Sequence, residues 1–419
     1  MSGQRVAGGI DAALTEGTLR LVDEEARPTL GDSPEQLVEL TARAIWSRLI
    51  EPGDAIAGAL VRSLGVEQAL QLLLNDAAPA DVHRELQARG AEGLSVRATA
   101  HAVERWKPRL NRNDVLNDLE RARRSGIRIV APGLDDWPEA LDDLGDHAPM
   151  LLWVRGDPSH LRRHALAVVG ARACTGYGSN VTAELVDSAC GTGTAIVSGA
   201  AYGIDAVAHR TALAVGCPTI AVLAGGADRP YPASHTSLLA RIAEVGAVCS
   251  EMVPGSAPTR WRFLQRNRLI AALAAATLVT EAGVRSGSLN TAGHSAALGR
   301  ELGAVPGPIT SAASAGCHRL IREYGATLVS NAAELREFLG ADEFGVLGEG
   351  EDRQPELHRR VLDALPLTGS RAEEEAVKLA GVAPADGRGA LAELEVLGFV
   401  ERAEPAAEGE ARWRLLKRG

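Results

Sequence analysis

ALAVVGARACTGYGSNVTAELVDSACGTGTAIVSGAAYG, residues 165–203, reads as strand, glycine turn, helix, strand and a second glycine turn. Its first apolar run, ALAVVG (165–170), shows no polar alternation, so a strand there must be buried on both faces. A helical stretch then separates it from the next apolar run, TAIVSG (194–199). Strand, helix and strand at this spacing close as a parallel unit, with the helix laid on the sheet.

The same grammar extends in both directions. IRIV (127–130), LLWV (151–154), TIAVLAGG (219–226), AVCSEM (247–252), ATLVTEAG (276–283), ELGAVPG (301–307) and ATLVSN (326–331) are further strand candidates between helical stretches. Residues 126–340 are therefore expected to form an α/β domain with a Rossmann-like parallel sheet. Right-handed crossovers would gather the C-terminal strand ends and the helix N-termini on one rim.

Around this domain the pattern changes. Residues 1–35 lack sustained periodicity and read as a flexible arm. Residues 36–125 carry helical stripes such as Leu37, Leu40, Ala44 and Ile45, and read as a helical, SAM-like domain. The acidic, glycine-rich stretch 341–355 reads as a linker. Residues 356–419 offer three helices and then two short strands (Phe399–Arg402, Trp413–Leu416), the order of a winged helix. Its third helix carries Asp386, Glu393 and Glu395 against Arg388, which suits a protein partner better than duplex phosphates.

A net charge of −10 argues against indiscriminate binding of polyanions. It leaves room for a local basic groove, because fields decay over about 8–10 Å at physiological salt. Between Ser256 and Arg300 stand six arginines (260, 262, 266, 268, 285 and 300) against one acid, Glu281. Five cysteines without CxxC spacing suit a reducing cytoplasm and imply no metal site. No apolar run is long enough to span a membrane.

The turns at the strand ends are more informative. Position 172, where a dinucleotide loop needs glycine against pyrophosphate, is arginine. The second strand ends in Ser198-Gly199 with no acid for a ribose, so the nicotinamide-dinucleotide reading fails. Ser198, Gly199 and Gly203 would instead leave backbone amides open at a helix N-terminus, a ready anion site. Arg285, Ser286, Gly287, Ser288 and Thr291 form a second small, hydroxyl-rich turn into a helix. Arg266, Asn267 and Arg268 precede the apolar run LIAALAAA. Three such elements on one rim point to phosphate binding, with no cofactor required.

SGAAYGIDAVAHRTAL (198–213), GGADRPYPASH (225–235), SEMVPG (250–255), FLQRNRLIAAL (263–273), TEAGVRSGSLNTAG (280–293) and AVPGPI (304–309) together resemble the DNA-processing protein A (DprA/Smf) family, in order and spacing. That resemblance implies a non-enzymatic, dimeric protein that binds single-stranded DNA during natural transformation, protects it and helps load the RecA recombinase. By matched motif it implies DNA contacts from Arg172, Ser198, Gly199, Arg266, Asn267, Arg268, Ser286, Gly287 and Ser288. One departure stands out: Tyr202 occupies a position where the family often has a basic residue. It would lose a phosphate contact there, and could stack on a base for roughly 1–3 kcal/mol.

Two alternatives stay open: a small-nucleotide sensor, and a nucleotide-processing enzyme related to the phosphoribohydrolases with a PGGxGTxxE loop. AGVRSGSLNTAGH (282–294) lacks that double glycine and offers His294 in place of the helical glutamate. Glu281 ends a buried strand and could be a base, and Asp205 and Glu251 lie at other strand ends; all three read first as helix caps or partners of the loop arginines. Trp261 and Phe263, beside the arginines, read equally as packing or as base-stacking rings.

Overall fold

The computed structural model describes residues 10–22, 33–90, 94–340, 356–366, 369–396, 399–403 and 411–416. The chain forms two compact units, Met1–Val346 and Leu347–Gly419.

Helices dominate the first part of unit 1: α1 (Ala12–Leu19), α2 (Pro34–Leu49), α3 (Ala55–Leu64), α4 (Val66–Leu74), α5 (Pro79–Ala88), α6 (Val96–Trp106) and α7 (Arg112–Arg124). Two tryptophans organise them. Trp46 of α2 meets Trp106 of α6 edge to face at 5.2 Å, both fully buried. Their indole N–H groups donate to the Val66 carbonyl at 3.2 Å and to Asp54 at 3.1 Å, so neither polar tip is left unpaired in the core. The same core continues into the sheet through Ile127, Ile129 and Trp153.

Part of the expected flexible arm behaves differently. Asp11 caps α1 by accepting from Ala13 and Leu14, and it pairs with Arg112. Ile10, Leu14, Leu21 and Val22 are buried, and the Ile129 amide donates to the Leu21 carbonyl at 2.9 Å. An eight-residue helix is too short to show periodicity, but its apolar side docks all the same. The rest of 1–35 lies outside the described residues, apart from the start of α2.

Nine strands form one sheet in the order β1-β2-β6-β5-β4-β3-β7-β8-β9. They are β1 (Ile127–Val130), β2 (Leu152–Gly156), β3 (Ala165–Gly170), β4 (Ala195–Ser198), β5 (Thr219–Val222), β6 (Ala247–Ser250), β7 (Ala276–Glu281), β8 (Glu301–Ala304) and β9 (Thr327–Leu328). Seven of them, β6 through β9 in sheet order, are parallel. β2 runs antiparallel to both β1 and β6, a departure from the all-parallel expectation. A strand buried on both faces reads alike in either direction, so LLWV could not reveal this.

The crossover helices are α8 (Gly176–Gly191), α9 (Ile204–Ala214), α10 (Thr236–Val245), α11 (Arg260–Ala272), α12 (Ser288–Ala297) and α13 (Ala315–Tyr324), with α14 (Ala332–Phe338) after β9. Strand order reverses between β3 and β7, so the loops after these two strands flank the switch point. Among the described residues no helix is long and apolar enough to cross a membrane.

Unit 2 runs α15 (Glu356–Asp363), β10 (Arg371–Ala372), α16 (Glu373–Ala380), α17 (Pro384–Val396), β11 (Val400–Ala403) and β12 (Arg412–Leu415). Its sheet order is β10-β12-β11, antiparallel, over a core of Val361, Leu365, Val377, Leu391, Leu394 and Trp413. Linker 341–355 lies outside the described residues.

Gly58 tests the packing of α3. A Cβ there would stand 1.9 Å from the Asp146 carbonyl, so the helix approaches the 3-10 turn Glu139–His147 backbone to backbone. Gly58→Val should therefore destabilise the protein by about 1–3 kcal/mol, read as a lower urea midpoint. An unchanged midpoint would mean that the helix separates freely from the turn.

Candidate nucleic-acid interface

The switch point, where a Rossmann protein would hold pyrophosphate, is already filled. Glu281 ends β7 almost fully buried. One carboxylate oxygen accepts from the Thr175 hydroxyl at 2.6 Å and the other from the Thr175 amide at 2.8 Å, just before α8. A Cβ on Gly178 would lie 2.5 Å from Glu281 Oε2, so glycine lets the carboxylate reach the helix end. The protein supplies its own anion to the α8 N-terminus.

The turn after β4 is likewise occupied. Ser198 is fully buried and donates its hydroxyl to the Val168 carbonyl at 2.6 Å, so it faces the sheet and not the rim. The amides of Gly199 and Ala201 both donate to Asp205 Oδ2 at 3.2 Å. Gly203 (φ 76°) takes the left-handed region at the start of α9, and a Cβ there would come within 2.1 Å of the Ala171 carbonyl. The expected bare-amide cradle is thus corrected: an acid in the first helical turn has taken the donors. Burial pushes Asp205 above its ordinary carboxylate value, while Arg266 and the two amides work against that rise.

Arg266 is the unusual group. Its residue is 5% exposed, yet among the described residues its guanidinium makes no salt bridge, and Nε has no hydrogen-bond partner. It lies across the bare Cα of Gly199, where a Cβ would fall 1.3 Å from Nη1. Burial pulls its pKa down to about 10, Asp205 opposing and Arg172 adding to the fall. The group is still charged at neutral pH. Arg172, exposed on the turn after β3, sits over the Phe263 ring at 5.1 Å, and Arg266 over the same ring at 5.8 Å. Phe263 therefore carries two cations, and Tyr231 packs on it at 5.4 Å.

Arg268 does not join them. Its side chain is 3% exposed and bonds to Glu251 at 2.8 Å, to the His147 carbonyl at 2.9 Å and to the Gln265 carbonyl at 3.1 Å. This overturns the expected phosphate contact. Positions 266 and 268 lie about 200° apart around a helix, so they cannot face one rim together. Arg262 also turns to an acid, Glu51, which Arg109 shares. Burial pushes Glu51 upward, but the two guanidiniums outweigh it and leave its pKa low.

Elsewhere on the predicted site, Asn267 donates to the Asn290 side chain at 3.1 Å, tying α11 to the α12 turn. Ser286 and Ser288 share a hydroxyl–hydroxyl bond at 2.7 Å. Ser288 and Thr291 are buried, whereas Gly287 and Arg285 are exposed. The structure thus gathers Arg172, Gly199 and Arg266 around Phe263. Ser198 and Arg268 become framework. Tyr202, half exposed, stands on the turn that leads from Gly199 into α9.

Comparison with known proteins places the chain in a wider group. A family model described as DNA recombination-mediator protein A matches residues 128–340. A Mycobacterium tuberculosis protein named putative DNA processing protein DprA is 42% identical over 406 residues, spanning 91% of this chain and 96% of its own. The DNA processing protein DprA of Streptococcus pneumoniae is 42% identical over 207 residues, 49% of this chain and 72% of its own. An X-ray structure of DNA processing protein A from Streptococcus pneumoniae aligns with a TM-score of 0.57 at 29% identity, over 72% of this chain and 97% of that one.

Two measurements probe the framework under the rim. Arg268→Ala leaves Glu251 buried and unpaired, so it should cost about 3–5 kcal/mol in urea unfolding. Arg268→Met together with Glu251→Leu should recover most of the loss; a silent Arg268→Ala would show that the pair does not hold α11. His209, buried against Thr219 at 2.7 Å, has its pKa lowered to about 3 by burial, with Arg266 and His235 adding to the fall. The unfolded chain binds this proton first, so the stability His209 gives is full above about pH 6.5 and shrinks as pH falls toward 3, at most about 1.4 kcal/mol per unit. His209→Leu should flatten that slope between pH 6.5 and 4. An identical slope in the variant would assign the acid sensitivity elsewhere.

Proposed function

This chain belongs to the DNA recombination-mediator protein A family, and from that premise we propose that its sheet rim binds single-stranded DNA through the phosphate backbone. One observation carries the reading: a buried, charged Arg266 without a salt bridge among the described residues, beside a second cation on the same ring. Holding a cation out of water without an ionic partner is costly. A phosphate oxygen at the rim would supply the ionic partner that the guanidinium lacks among the described residues. Arg172, on the solvent side, would take the same or the next phosphate. Arg285, Gly287 and Asn267 extend the path toward α12.

Backbone contact of this kind is independent of base identity and strongly dependent on salt. The protein acts as a binding module in the cytoplasm, not as an enzyme. Glu281, Asp205 and Glu251, the acids best placed for catalysis, are engaged with Thr175, the Gly199 and Ala201 amides, and Arg268. As the family resemblance implies, it forms a homodimer, protects incoming single strands during natural transformation and passes them to RecA. Unit 2, with an acidic α17, serves as a winged-helix module for a protein partner.

Fluorescence anisotropy with single- and double-stranded oligonucleotides at several salt concentrations tests this. Single strands should bind more tightly, with a log–log salt slope of about −0.7 per phosphate neutralised. Arg266→Ala and Arg172→Ala should each weaken binding across all sequences and make the slope shallower, with folding intact. Unchanged affinity in Arg266→Ala would remove it from the site. Affinity that does not grow with oligonucleotide length would favour a small-nucleotide sensor instead.

A further inference from the structure

Two tyrosines flank the arginine pair. Tyr202 is 51% exposed and Tyr231 48% exposed, both large rings open to solvent. Neither is loose. The Tyr202 hydroxyl bonds to Ser234 Oγ at 2.9 Å, and its ring meets the buried His235 ring at 5.0 Å, steeply tilted. His235 is itself tied to the Ala200 carbonyl at 3.0 Å, so the turn after β4 and the segment 231–235 brace one another. Tyr231 leans on Phe263, the ring under both guanidiniums.

We propose that Tyr202 and Tyr231 are base-stacking platforms, so that the rim grips nucleobases as well as phosphates; the proposal rests on the single-stranded DNA reading above. The Tyr202 hydroxyl is already engaged with Ser234. What Tyr202 leaves open to a ligand is therefore ring surface, which a phosphate cannot use well. Planar bases of an unpaired strand can, whatever their identity, whereas duplex bases are already stacked. Both rings are also held before ligand arrives, which lowers the ordering cost of contact. At the Tyr202 position a stacking face takes the place of a charge: affinity gained there would not fall with salt.

The test compares a labelled oligo(dT) with an abasic oligomer of the same length and charge, bound to the full-length protein. Phosphate contact alone gives equal affinities; stacking on two rings should favour oligo(dT) by at least tenfold, since each stacked base is worth roughly fivefold or more. Tyr202→Leu and Tyr231→Leu should each lower oligo(dT) affinity while leaving abasic binding nearly unchanged. Tyr202→Phe, which keeps the ring, should retain the preference. Equal wild-type affinity for the two oligomers would overturn stacking and leave the phosphate reading intact. Failure to bind either would overturn that reading and this proposal with it. A Tyr202→Leu loss equal for both oligomers would reduce that ring to a structural prop and overturn its role here.

Discussion

Arg266 lies across the buried, side-chain-free Cα of Gly199, and the rim is arranged around that contact. Any side chain at position 199 would stand where the guanidinium now is. The arginine can remain charged there because Asp205 is near enough to act through space, yet spends its oxygen on the Gly199 and Ala201 amides. A direct salt bridge would quench the cation, and removal of the acid would leave it in an apolar wall. Between these limits lies the buried charge that the proposed phosphate contact would use.

Helix α11 carries that charge, and its other faces are locked. Arg262 reaches Glu51 between α2 and α3, and Arg268 reaches Glu251 after β6. Glu251 also accepts from the Gly53 amide, so the helical region and the sheet are stitched along one helix. Half of the four arginines on this helix thus serve assembly. A chain of net charge −10 needs few free cations to hold a polyanion, provided they stand where water is scarce and the local field is concentrated.

Much of this was legible in the residues. Apolar runs without alternation revealed the buried strands, and the arginine that stands where a dinucleotide loop needs glycine lies over the Phe263 ring. The pairing direction of β2 was not legible, because a doubly buried strand carries no directional pattern. Ser198 and the bare amides misled for a local reason. Asp205, two residues into α9, was the signal that those donors were taken, since acids favour the first turn of a helix. Arg268 misled because adjacent charges were counted without regard to the face each must occupy. Phe263 stands three residues before Arg266, on its side of the helix, and that spacing foretold the ring beneath the guanidinium.

Two like charges share the Phe263 ring, and Arg172 contributes to the fall in the pKa of Arg266. The rim is therefore electrostatically frustrated: each guanidinium makes its neighbour less comfortable. On the single-stranded DNA reading, an arriving phosphate would relieve both at once, and the repulsion between them would return as tightness in the complex. Such a surface would be tense by itself and settled once filled, more rigid along a bound strand than alone.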